Sequence, residues 1–206
     1  MKNIYKIIFV FILIVAVILR FWQLGNIPAG LNWDEISHGY NSYSLLLTGK
    51  DQWGIPFPLY NFRAYGDYPT TANLYLTVPF IKIFGLNSFA IRLPAAIFGT
   101  IFVLLNYLFA KIIFKKDNFA LMVMFLAAIS PWTVFPSRGV FQSNISEVLL
   151  LLGVYLFYIS LKKPWIFLLS LLSFASSLFA YHNTRIIAVP ALLLLIFFNL
   201  KTIIRQ

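Results

Sequence analysis

Asn32-Trp33-Asp34-Glu35-Ile36-Ser37-His38 follows closely on the apolar run Ile7–Leu19, and the contrast between the two decides the architecture. The first run has the character of a membrane span. The second sets adjacent carboxylates beside it in a chain with only 6 acidic residues. Asp34, Glu35, Asp51 and Asp67 all fall in the same segment, so the chemistry is expected there. With 61% hydrophobic residues, 11% charged residues and a mean hydropathy of +0.85, the chain lies far outside soluble averages. The expected fold is all-α: a polytopic membrane helical bundle, with residues 1–206 forming a single transmembrane domain. The chain has no cysteine, which excludes disulfides, thiolate chemistry and cysteine-zinc sites. The only histidines, His38 and His182, leave little for a histidine metal cage. A net charge of +10 would suggest a nucleic-acid partner in a soluble protein. Here its distribution marks topology instead, and no nucleic acid is expected.

Beyond the first run, apolar stretches cover Phe89–Ala110, Phe119–Phe135, Val140–Leu161, Trp165–Tyr181 and Ile186–Leu200, giving about six transmembrane helices. A hydrocarbon core of ~30 Å takes about 20 helical residues, so the shorter runs must be extended by interfacial residues. Arg20-Phe21-Trp22-Gln23-Leu24 continues the first helix and no small-residue cleavage site follows, so it reads as a retained span, not a signal peptide. Lys2 and Lys6, then Lys111, Lys115 and Lys116, then Lys162 and Lys163, then Lys201 and Arg205 all fall on one side if every run crosses. The positive-inside rule makes that side cytoplasmic, in a cell (inner) membrane.

Residues 25–88 then form a long extracytoplasmic loop, and long ordered loops are usually functional. Asn32 and Glu35 have the spacing of a capping box. Ile36, Tyr40, Tyr43 and Leu47 recur at helical intervals up to Gly49, which predicts a juxtamembrane amphipathic helix. A second is expected from Tyr68-Pro69 through Leu74, Val78 and Ile81 to Gly85. Helix-start electrostatics alone favour acids at such a position by ~0.3–1 kcal/mol. Capping accounts for Glu35 better than for Asp34, which makes Asp34 the stronger candidate for chemistry. His38 lies one turn beyond Asp34 on the same face, so Asp34, Glu35 and His38 are the candidate ligands for a divalent cation, although no spacing demands one.

Arg20, Arg63, Arg92, Arg138 and Arg185 lie at or near the outer side, against the topological bias. Their planar forks of donors suit phosphate, and snorkelling to headgroups is the competing reading. Glu147 lies nine residues past Arg138, ~13 Å along a continuous helix. At that depth a carboxylate is expected to face the bundle interior. Tyr181-His182-Asn183-Thr184-Arg185 forms another outer turn at the level of Asp34.

Leu31-Asn32-Trp33-Asp34-Glu35, Asp67-Tyr68-Pro69, the segment from Phe84-Gly85-Leu86-Asn87-Ser88 to Arg92-Leu93-Pro94, Ser130-Pro131-Trp132 and Ser137-Arg138 together resemble membrane glycosyltransferases of the GT-C class. The likeness is to the protein O-mannosyltransferases (dolichyl-phosphate-mannose-protein mannosyltransferase-like) and the bacterial aminoarabinose transferases, and is loose beyond Arg138. It implies a polyprenyl-phosphate sugar donor and inverting transfer to an acceptor hydroxyl of a glycan, lipid or protein on the outer face. Asp34 matches the family's catalytic loop acid, with Glu35 beside it. Arg138 matches an arginine at that turn. Arg185 and His182 join it by position as candidates for the lipid phosphate, and Arg92, Asp67 and Glu147 complete the candidate substrate-binding set. Family members have more spans, often with a soluble C-terminal domain, so the chain is expected to be an N-terminal portion or a truncated relative. The alternative is a non-catalytic membrane protein that binds or moves an anionic phospholipid. A small transporter is disfavoured, because the acids cluster in a loop and no internal repeat is visible.

Overall fold

The computed structural model describes residues 3–204, and among these the regular structure is helical. Lys2 and Arg205, counted above among the basic clusters, lie outside the described residues. The helices are α1 (Asn3–Phe21), α2 (Trp33–Thr48), α3 (Ala72–Phe84), α4 (Ser88–Phe114), α5 (Asp117–Ile129), α6 (Pro131–Val134), α7 (Gln142–Ser160), α8 (Ile166–Ala180) and α9 (Thr184–Ile204). A 3₁₀ turn, Pro136–Arg138, links α6 to α7. α1, α4, α7 and α9 are long and apolar enough to cross a membrane. The bent pair α5–α6 makes a fifth crossing if its two parts count as one span. α8 is a shorter apolar helix of 15 residues, so the expected count of six rests on its flanks being drawn in.

α4 is the hub, touching α1, α3, α5 and α7. Its C-terminal half packs with α1 and α5 through Ile12, Ala16, Val103, Ala110, Ala120 and Met124. Small residues on these faces let the backbones approach, which is how helices associate where lipid removes the hydrophobic driving force. Gly99 gives the closest approach: a Cβ there would lie 2.3 Å from Ser137 Cβ, so α4 meets the 3₁₀ turn almost backbone to backbone.

The expected run Phe119–Phe135 is broken at Ser130 by a 65° bend, and Pro131 is the reason. Its missing N–H leaves the Ala127 carbonyl without its helical partner. Thr133 Oγ1 donates to that carbonyl at 2.6 Å and Arg20 Nη2 at 3.1 Å, while Arg20 Nη1 donates to Ala128 O at 3.0 Å. Arg20 is thus completely buried. Its charge is spent on backbone groups that lipid could not satisfy.

The segment between α1 and α4 carries both expected amphipathic helices. α2 begins on the capping box: Asn32 Oδ1 accepts from Glu35 N and Glu35 Oε2 accepts from Asn32 N, each at 2.9 Å. It ends at Gly49 in the left-handed conformation, φ 69°. Its polar side, Ser37, His38, Asn41 and Ser42, is buried in the protein, and Ile36, Tyr40, Tyr43 and Leu47 face outward. That is the orientation of a helix resting its apolar side on a bilayer. α3 starts a turn later than expected and stops at Gly85 as expected. Leu45, Phe62, Ala64 and Leu74 form a small core beneath the pair.

Candidate functional site

Asp34 occupies the first turn of α2 with its side chain exposed, at the meeting of two clefts. One, of about 280 Å³, is lined by Trp33, Asp34, Ala64, Tyr65 and Asp67. The other, of about 140 Å³, brings Asp34 against Phe141, Gln142, Ser143 and Tyr181. Phe141 also lines a third cleft, of about 290 Å³, which runs past Asn32 and Glu35. The three form a trough around the head of α2, and Asp34 sits where two of them join.

Local chemistry builds this geometry. Asp67 closes a tight turn, with Ala64 N donating to Asp67 O at 2.9 Å and Asp67 N to Ala64 O at 2.8 Å. Gly66 supplies φ 87° there, a conformation that favours glycine. The turn hangs the Asp67 carboxylate opposite Asp34. Across the trough, the single hydroxyl proton of Thr70 is shared between Gln142 Oε1, 2.9 Å away, and Ala180 O, 2.7 Å away. His182 Nε2 donates to Tyr68 O at 2.9 Å. Loop, α7 and the α8–α9 turn are thereby tied at one level. Partial burial raises the proton affinity of Asp34, and the charges of Asp67 and Glu35 raise it further.

Glu35 and Arg92 come together as a buried ion pair. Arg92 Nε donates to Glu35 Oε1 at 2.6 Å and Nη2 to Oε2 at 3.1 Å. Arg92 also donates to the carbonyls of Leu24 at 3.1 Å, Pro28 at 2.9 Å and Gly30. Both carboxylate oxygens and every guanidinium nitrogen are engaged, which locks the α1–α2 connection onto α4. Arg138 is engaged likewise: Nη1 donates to Leu19 O at 2.7 Å, and Nη2 to Trp22 O at 2.7 Å and Ile27 O at 2.9 Å. It closes the end of α1.

His38 is completely buried beside Phe62, and its Nδ1 donates to the Asp34 carbonyl oxygen at 2.9 Å, not to the Asp34 side chain. Burial lowers its pKa to about 4, against weaker opposition from the backbones of Asp34 and Thr70. The suggested ligand trio of Asp34, Glu35 and His38 therefore does not converge: Glu35 serves Arg92, and His38 is sealed behind its own helix. Among the described residues no group of three or more histidines and acids is placed to hold a metal ion.

Glu147 corrects the expectation that it faces the bundle interior. It is exposed on α7, whose buried side carries Asn144, Ile145 and Val148. The depth reckoned from Arg138 assumed one continuous helix. The chain is instead extended at Gly139 and Phe141, and α7 starts at Gln142, which leaves Glu147 only about 8 Å along its axis.

Arg185 differs from Arg92 and Arg138. Its Nε donates to Leu178 O at 3.1 Å and its guanidinium stacks 4.6 Å from the Tyr60 ring centroid. Its Nη2 is buried with no hydrogen-bond partner among the described residues. Sequence reasoning passed over Gln142 and Ser143. The polar run Gln142-Ser143-Asn144 at the head of an otherwise apolar span was the signal that could have found them.

Residues 70–206 match the family model described as dolichyl-phosphate-mannose-protein mannosyltransferase. The match covers well over half of the chain, which therefore belongs to this family and is a membrane glycosyltransferase of the GT-C type. It begins at Thr70, after Asp34, Glu35 and Asp67. No curated protein and no solved structure matches the chain.

Proposed function

We propose that this member of the dolichyl-phosphate-mannose-protein mannosyltransferase family transfers a sugar from a polyprenyl-phosphate donor to an acceptor hydroxyl with inversion, using Asp34 as the base. Asp34 takes the hydroxyl proton as the oxygen attacks the anomeric carbon. The bond from that carbon to the phosphate oxygen breaks, and the polyprenyl phosphate leaves. The carrying observation is that Asp34 is the exposed carboxylate at the junction of two clefts, with a proton affinity raised by partial burial and by Asp67. A stronger base is a better acceptor for a hydroxyl proton. Tyr181 and Gln142 wall the smaller cleft.

A donor phosphate needs cationic donors to hold it and to stabilise the charge that develops as it departs. Arg138 and Arg92 spend their terminal nitrogens on carbonyls, whereas Arg185 keeps one unpartnered, so Arg185 takes the phosphate role in this reading. His182 positions the neighbouring turn through Tyr68. The lysine-rich helix ends support an inward N-terminus in the cell membrane and an extracytoplasmic loop. The acceptor is a glycan, lipid or protein hydroxyl.

The test is Asp34→Asn in membranes, assayed for sugar transfer from a polyprenyl-phosphate donor and for thermal unfolding. Transfer is expected to disappear with unfolding unchanged. Undiminished transfer would remove Asp34 from catalysis and leave the lipid-binding alternative standing.

A further inference from the structure

Gln142, the first residue of α7, is held from one side only. Its Oε1 lies 3.3 Å from Thr70 N and 2.9 Å from Thr70 Oγ1. A backbone N–H can only donate, so the atom facing Thr70 is the carbonyl oxygen and the amide is fixed in orientation. Thr70 is itself completely buried, and its hydroxyl also lies 2.7 Å from Ala180 O, which ties the anchor to the end of α8. With the oxygen committed, Nε2 is the free end of the side chain and has no hydrogen-bond partner among the described residues. Gln142 is half-buried and lines the cleft of about 140 Å³ that also holds Asp34. An oriented donor thus stands in the same small space as the base. Phe141, Ser143 and Tyr181 share its walls. Aromatic faces with a few directional polar groups suit a sugar ring, whose C–H faces stack while its hydroxyls need partners.

The two clefts at Asp34 differ in what builds them. Beside Asp34, the larger is walled by α2 and the loop, through Trp33, Ala64, Tyr65 and Asp67. The smaller is made by helix ends of the bundle, at the head of α7 and at Tyr181 between α8 and α9. A sugar on a lipid carrier arrives from the bilayer and meets those helix ends first. We propose that the smaller cleft seats the transferred sugar and that Gln142 Nε2 donates to one of its hydroxyl oxygens, which makes Gln142 a specificity-determining residue. The inference rests on the transfer reading above and adds the group that reads the sugar. The larger cleft is left for the acceptor.

The experiment uses the full chain in its native membranes. Transfer is measured from polyprenyl-phosphate mannose, glucose and galactose, and from the monodeoxy and monodeoxyfluoro forms of whichever is used best. In the wild type, one deoxy position is expected to lower kcat/KM about tenfold, the worth of one hydrogen bond. In Gln142→Met that penalty is expected to vanish, with the acid limb of the pH profile unmoved. Gln142→Glu keeps an oxygen for both Thr70 donors, so it reads the same interaction if Gln142→Met fails to fold. Fluorine accepts and does not donate, so the deoxyfluoro-to-deoxy rate ratio at that position should fall severalfold in Gln142→Glu relative to the wild type. An equal loss with every donor together with a shifted acid limb would assign Gln142 to holding Asp34 and overturn the proposal. Discrimination that changes among deoxy acceptors instead of deoxy donors, or a donor penalty that persists in Gln142→Met, would overturn it and leave the transfer reading in place. No transfer by the wild type from any of the three sugars would overturn both.

Discussion

Replacing Glu35 by Gln separates the two things this carboxylate could do. The substitution keeps the side-chain shape and keeps an oxygen that can accept from Asn32 N, as a capping box requires. It removes the negative charge opposite a guanidinium that is 1% exposed. Breaking a buried pair by removing one partner costs about 3–5 kcal/mol, because the other charge stays buried without its counterpart. The lower end applies here, since Arg92 retains the carbonyls of Leu24, Pro28 and Gly30. A loss of about 3 kcal/mol corresponds to a fall in Tm of roughly 6–12 °C for a chain of this size. Glu35→Ala should cost about 1 kcal/mol more, because the cap is also lost. Arg92→Met should cost the most, since it strands a carboxylate and three carbonyls. Combining Arg92→Met with Glu35→Leu should recover much of that loss, because an uncharged pair carries no desolvation penalty. The assay is thermal unfolding in detergent, run beside sugar transfer. Transfer by Glu35→Gln should follow the folded fraction and persist at low temperature. A variant with unaltered Tm and no transfer would refute this reasoning and return Glu35 to the chemistry.

Asp67→Asn should move the acid limb of the transfer pH profile to lower pH, because Asp67 is one of the charges that raise the Asp34 proton affinity; an unmoved limb would detach the two carboxylates. Gly99→Ala should destabilise the packing of α4 on the Pro136–Arg138 turn by about 1–3 kcal/mol, read as lower Tm, since the new Cβ would lie 2.3 Å from Ser137 Cβ. His38, neutral in the fold down to about pH 4 against an ordinary 6.5, should make stability fall as pH drops through that window and level off below it. The unfolded chain takes up the proton first, a difference of about 3 kcal/mol by linkage, and His38→Gln should flatten the slope.

Much of this was legible in the sequence because its causes are local. The capping box at Asn32 and Glu35, the αL stop at Gly49 and the apolar period of α2 need only near neighbours, and the structure carries all three. The lysine clusters and long apolar runs likewise declare a membrane bundle. What was not legible is which polar groups the tertiary structure would consume. Sequence position treats Arg20, Arg92, Arg138 and Arg185 alike, as cations near one surface. The backbone distinguishes them. Pro131 frees a carbonyl that Arg20 fills and the turn after α1 exposes carbonyls that Arg92 and Arg138 fill, whereas Arg185 gives only its Nε to a carbonyl and keeps a terminal nitrogen, Nη2, unpartnered among the described residues.

The acids divide by the same logic, and the division bears on mechanism. In an environment where an unsatisfied carbonyl or charge costs several kcal/mol, a side chain that can satisfy structure is drawn into it. Glu35 reaches both its own helix start and Arg92, so both of its oxygens are held as acceptors within the fold. Asp34, on the neighbouring position of the same helix turn, is rotated away from α4 and into the trough. There Asp67 meets it as a like charge, and repulsion between carboxylates is unfavourable to the fold. The Asp34–Asp67 juxtaposition adds to partial burial in raising Asp34's affinity for a proton, at the point where two of the clefts join.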